Sequence, residues 1–172
     1  MKKILLLFVC LFVCWALFAQ QRIKVACVGN SITYGTGLAD RATQSYPVQL
    51  QKLLGEHYEV ENFGKPGATL LNQGHRPYTR QEEYRKALDF AGDIVVIHLG
   101  INDTDPRDWP NYRDSFVTDY LNLMDTFRKA NPDVRIIIAR MTPIADRHNR
   151  FLSGTRDWHG EMQTAIETVA HY

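Results

Sequence analysis

The chain has 172 residues, 45% of them hydrophobic and 23% charged, which suits one globular domain and leaves too little length for a second. A formal net charge of +1 excludes the strongly basic balance of a nucleic-acid binder. Of the three cysteines, Cys10 and Cys14 lie in an apolar leader, so Cys27 is alone in the folded part. Neither an internal disulfide nor a cysteine metal site is available to it, and no metal or cofactor is expected.

Residues 1–19 read as a signal peptide. Lys2 and Lys3 form a basic start, Ile4 to Phe18 carries no charge, and Ala19 is the small residue before the cut at Gln20. The apolar run falls short of the ~20 residues that span a bilayer. Residues 20–172 are therefore expected to form an exported domain, in the periplasm or outside the cell, with no stable membrane insertion after cleavage.

Ile23 to Val28 reads as a short buried strand, with Cys27 as a small core residue. Pro47 opens a helix whose apolar face is Val48, Leu50, Leu53 and Leu54, and Gly55 ends it. Tyr58 to Phe63 alternates polar and apolar, the pattern of a half-exposed edge strand. A turn rich in Gly and Pro follows, then a charged helix from Arg80 to Phe90. Asp93 to Leu99 is the pattern of a central parallel strand buried on both faces. Phe116, Tyr120, Leu123, Met124 and Phe127 recur at helical spacing. Val134 to Ala139 reads as another buried strand, and Trp158 to His171 as a last helix. Strands alternating with helices imply an α/β fold with a parallel sheet and right-handed crossovers.

Ligands of such sheets bind outside the carboxyl ends of the strands. Three loops there carry chemistry: Gly29-Asn30-Ser31-Ile32-Thr33, Asn62-Phe63-Gly64-Lys65-Pro66-Gly67-Ala68-Thr69, and Gly100-Ile101-Asn102-Asp103. Singly, Ser31 reads equally well as a helix cap, Gly67 as a turn glycine and Asn102 as a turn residue or cap. Together and in this order, the blocks resemble those of the SGNH hydrolases, also called GDSL-like esterases, with Asn30 where Asp is usual. The resemblance covers nearly all of the chain after the leader. It implies a flavodoxin-like three-layer sandwich in which Ser31 is the nucleophile. The backbone N–H groups of Ser31 and Gly67 and the side-chain amide of Asn102 would form the oxyanion hole. A serine nucleophile needs a base, and preorganised donors must meet the tetrahedral oxyanion.

The family completes its triad with a late D-x-x-H block. Asp157-Trp158-His159 is the nearest local mimic, with the wrong spacing; His98 reads as a core histidine. The resemblance therefore implies a domain incomplete at its C-terminus, lacking the last strand and the D-x-x-H loop, and inactive or nearly so as this sequence stands. Its fourth strand should be an exposed, association-prone edge. The chain is most similar to exported bacterial sialate or carbohydrate O-acetylesterases. An acylated carbohydrate is the implied partner, with His75, Arg76, Tyr78 and Trp109 as candidate sugar contacts; all four also read as surface loop decoration, Arg76 and Tyr78 more readily so. Arg76 would pair with a sugar carboxylate and Trp109 would stack on a pyranose. The alternatives are a lysophospholipase or thioesterase of the same family and a non-catalytic glycan-binding module. Oligomeric state is not legible.

Overall fold

Four apolar runs become four parallel strands: β1 (Ile23–Gly29), β2 (Tyr58–Gly64), β3 (Ile94–His98) and β4 (Arg135–Ile138). This is the arrangement of a computed structural model that describes residues 22–144 and 155–172, with side chains from 158 onward in the second stretch. The leader, and the histidine that follows the fourth strand run in sequence, His148, lie outside the described residues. The helices are α1 (Ser31–Tyr34), α2 (Arg41–Gln44), α3 (Tyr46–Leu54), α4 (Glu82–Phe90), α5 (Trp109–Tyr112), α6 (Phe116–Ala130) and α7 (Thr155–Val169). Among the described residues, no helix is long and apolar enough to cross a membrane.

The strands lie in the order β2-β1-β3-β4. The chain moves one way from β1 to β2 and then back past β1 to β3. Right-handed crossovers therefore place α3 on one face of the sheet and α4 and α6 on the other. α4 touches α6 and α6 touches α7, so these three form one layer. The reversal sits at β1 and β3, where open α/β sheets bind their ligands. β1 is the most enclosed strand, with Ala26, Cys27 and Val28 inaccessible. Burial pushes the Cys27 thiol up to about 12, which keeps it protonated and inert.

The apolar stripe of α6 fills the core as its spacing predicts, and Trp109, Phe116 and Tyr120 stack edge to face behind it. β2 is an edge strand, as its alternation predicts. β4 differs from expectation. It is not a buried strand but an alternating one, in which Arg135 and Ile137 face outward, Ile137 with 44% exposure. Ile136 and Ile138 turn instead to a groove of about 250 Å³ shared with Met124, Val134, Val169 and Tyr172. Only one face of β4 has helices over it, and no strand pairs with its outer edge among the described residues. Leu53 is a second departure, 84% exposed rather than on the apolar face of α3. α3 packs over the edge strand β2, so its buried arc is narrower than a helix over the sheet centre would have.

Candidate active site

Sheet register brings the three loops to one rim. Gly29 is aligned with Gly64 of β2 and with His98 of β3. Ser31 follows Gly29 by two residues, Gly67 follows Gly64 by three, and Asn102 follows His98 by four. Lys65 N–H donates to the Gly29 carbonyl at 2.9 Å, which ties the second loop to the end of β1.

Ser31 is the first residue of the single turn α1, and Gly35 closes that turn with φ of 93°. The cap is Asn30, not Ser31: its Oδ1 accepts from Ile32 N–H at 2.9 Å. Ser31 is therefore spared a capping role, and its Oγ has no hydrogen-bond partner among the described residues. Asn30 is fully buried, and its Nδ2 has no partner there either. Two glycines let α1 approach the sheet. A Cβ on Gly29 would fall 2.1 Å from Thr33 Oγ1, and one on Gly64 would fall 2.2 Å from the backbone nitrogen of Tyr34. Asn62 then clamps the turn: its Nδ2 donates to Thr33 O at 2.9 Å and its Oδ1 accepts from Gly64 N–H at 3.0 Å.

Gly67 adopts φ of +79°, a conformation that favours glycine. Asn102 sits in the 3-10 turn Ile101–Thr104, 4% exposed, and its Nδ2 donates to the carbonyl of Ala68, the neighbour of Gly67, at 2.8 Å. Asp103, fully buried, accepts from Leu70 N–H at 2.9 Å and from Leu71 N–H at 2.8 Å. Two consecutive side chains thus staple the second loop to the third. Both partners are more than thirty positions away in sequence, so no local pattern reveals the contact.

Burial pushes the Asp103 carboxyl up to about 7, against the two amide donors that favour its charged form; the nearby Asp108 adds to the rise. Below about pH 4 the group is protonated folded or unfolded. Between there and about pH 7 the unfolded chain sheds the proton first, so this group's contribution to stability falls as pH rises. The fall is on the order of 4 kcal/mol across the window. Asparagine at 103 does not titrate. The stability of the native chain relative to Asp103→Asn is therefore expected to decrease from pH 4 to pH 7 in denaturant titrations. A constant or rising difference would contradict the assignment.

Of the expected sugar contacts, the structure brings two to the rim. Arg76 lies against Gly67, its Nη1 3.1 Å from where a Cβ would be. His75 is held above the third loop by Asp108, whose oxygens meet its backbone N–H at 2.9 Å and its Nδ1 at 2.6 Å. Trp109 is not a surface platform. It is 3% exposed, packed on Phe116, and its Nε1 donates to Glu161 at 3.0 Å, so no ring face is open to a pyranose. Tyr78 is likewise fully buried, with its hydroxyl on Phe63 O at 2.8 Å.

His98 is buried at the end of β3, and desolvation lowers its pKa, as a core histidine requires. His159 Nε2 lies 3.2 Å from Thr142 O. Among the described histidines, only His75 pairs with a carboxylate. His75, Asp105 and Asp108 present ligand atoms within 4.8 Å of one another. Arg107 already neutralises Asp105 through two bonds of 2.8 and 2.9 Å, and His75 engages Asp108, so the cluster is satisfied without an ion.

A strand-end serine, a left-handed glycine and a buried asparagine around one switch point define a recognisable class of α/β protein. A family model for the GDSL-like lipase/acylhydrolase family matches residues 27–172, and the chain belongs to that family. An acetylxylan esterase of Xylanibacter ruminicola is 44% identical over 109 residues, which is 63% of this chain and 22% of that protein. The chain thus spans about a fifth of that relative. A carbohydrate acetylesterase family member from Sinorhizobium meliloti superposes with a TM-score of 0.65 at 20% identity, covering 86% of this chain and 78% of that one. A family two carbohydrate esterase from Clostridium thermocellum, solved with cellohexaose, gives 0.54 at 23% identity, covering 81% and 48%. At these identities the two structures establish a shared fold.

Proposed function

We propose that this domain belongs to an exported serine esterase that removes O-acetyl groups from glycans. The observation that carries the reading is the meeting of three strand-end loops, bearing Ser31, Gly67 and Asn102, on one rim. Ser31 Oγ attacks the acetyl carbonyl carbon. The N–H groups of Ser31 and Gly67 and the Asn102 amide receive the oxyanion. The bond from Asn102 Nδ2 to Ala68 O holds this amide beside Gly67, where the oxyanion would sit. The sugar alkoxide departs with a proton, and water then releases acetate from the acyl-serine. The base that takes and returns the proton is assigned to a histidine outside the described residues, because no described group bonds to Ser31 Oγ. His75 and Arg76 would contact the sugar. The acetylxylan esterase relative supports acetylated xylan as substrate over acetylated sialic acid.

The unengaged Ser31 Oγ also favours a second reading, a glycan-binding module without turnover. Assay of the whole gene product on p-nitrophenyl acetate, p-nitrophenyl palmitate and acetylated xylo-oligosaccharides separates the readings. The esterase reading expects hydrolysis of the acetyl esters only. Preference for palmitate would make it a lipase-type enzyme. Glycan binding without hydrolysis would leave the module.

A further inference from the structure

The loops after β2 and β3 carry four basic side chains between Lys65 and Arg76 and between Gly100 and Trp109: Lys65, His75, Arg76 and Arg107. Three have a carboxylate partner. Lys65 meets Glu83 at 3.0 Å, His75 meets Asp108 at 2.6 Å, and Arg107 meets Asp105 at 2.8 Å. Arg76 has no carboxylate partner among the described residues, although it is the one beside Gly67. Its backbone and one end of its guanidinium are nevertheless tied to the second loop. Its Nη1 donates to the Pro66 carbonyl at 3.0 Å, and its own carbonyl accepts from Thr69 N–H at 2.9 Å. A guanidinium has five N–H donors. Pro66 takes one, and no other described protein group receives the rest. An exposed, preorganised guanidinium at the lip of the proposed oxyanion hole is therefore left to a solute.

We infer that Arg76 is a specificity residue for a carboxylate on the glycan, a uronic acid within one sugar of the acetyl ester. The inference rests on the esterase reading for bringing a glycan to this rim. A planar guanidinium fork matches the two oxygens of a carboxylate and binds them with paired, charge-assisted hydrogen bonds. Holding the arginine beforehand removes part of the ordering cost of binding. Neutral acetylated xylan would still enter, because Arg76 lies beside the reacting ester and not across it. The acidic decoration would set which ester is presented to Ser31.

The test is calorimetric titration of the whole gene product carrying Ser31→Ala, which prevents turnover. The probes are xylotriose bearing one glucuronic acid and plain xylotriose. At low salt the acidic sugar is expected to bind about tenfold more tightly. High salt should erode the difference. Adding Arg76→Gln should bring the acidic sugar to the level of the neutral one, while Arg76→Lys should keep part of the preference. An unchanged thermal melt would show that the exposed substitution leaves the fold intact. Equal binding of both sugars, binding of neither, or a preference that survives Arg76→Gln would overturn the inference. Labelling of the native protein with a fluorophosphonate keeps the two claims apart. A labelled Ser31 without charge preference sinks the subsite alone. A charge preference without labelling sinks the esterase reading and leaves an acidic-glycan site.

Discussion

Ser31→Ala is expected to lower acetyl-ester hydrolysis by the whole gene product roughly 10⁵- to 10⁶-fold, with the fold intact. The size follows from the chemistry, because without Oγ no acyl-enzyme forms. The oxyanion donors proposed at Gly67 and Asn102 would remain, so a small excess over the uncatalysed rate should survive. Stability should barely move. Asn30, not Ser31, caps α1, and the serine hydroxyl bonds to no described group. The check is a paired measurement of kcat and of the thermal midpoint. Turnover within tenfold of the native rate would remove Ser31 as the nucleophile.

Gly64→Ala is expected to damage both stability and turnover. The added methyl would lie 2.2 Å from Tyr34 N and 2.8 Å from Thr33 C, both main-chain atoms that no rotamer change can move. Overpacking of this kind costs about 1–3 kcal/mol or more. For a domain of this size that is a fall in Tm of roughly 2–12 °C. Because the obstructed element is α1 itself, Ser31 should shift away from Gly67 and kcat should fall with it. Gly160→Ala is the contrasting control. It lies in α7 with nothing among the described residues within 4 Å of the new methyl, and a helical alanine should hold or raise stability. A Gly64→Ala protein as stable and active as the Gly160→Ala protein would show that α1 does not need this close seat.

Much of the fold was legible because three of the four strand runs stop at a glycine (Gly29, Gly64 and Gly100) and α6 has a clear apolar period. The limits are equally physical. The exposed edge at β4 is expected, but the run Val134 to Ala139 reads as a buried strand, and composition does not say whether anything covers its second face. Leu53 follows helical spacing, but a helix over an edge strand has less to bury against. Trp109 in a polar loop reads as a surface aromatic, and its burial depends on Phe116 and on Glu161, fifty-two positions away. For the site, Ser31, Gly67 and Asn102 stand out through short motifs. The residues that hold those loops do not. Asn62 opens the second motif, but its clamp on Thr33 is not local. Asp103 and Asp108 look like ordinary turn acids, and their N–H partners lie more than thirty positions upstream.

The whole gene product, inactivated with a p-nitrophenyl alkylphosphonate and crystallised, offers the most direct trial of the site. The account predicts phosphorus bonded to Ser31 Oγ. It also predicts one phosphoryl oxygen within hydrogen-bonding distance of the Ser31 N–H, the Gly67 N–H and Asn102 Nδ2 together. An adduct on another residue, or a phosphoryl oxygen turned away from Gly67 and Asn102, would contradict it.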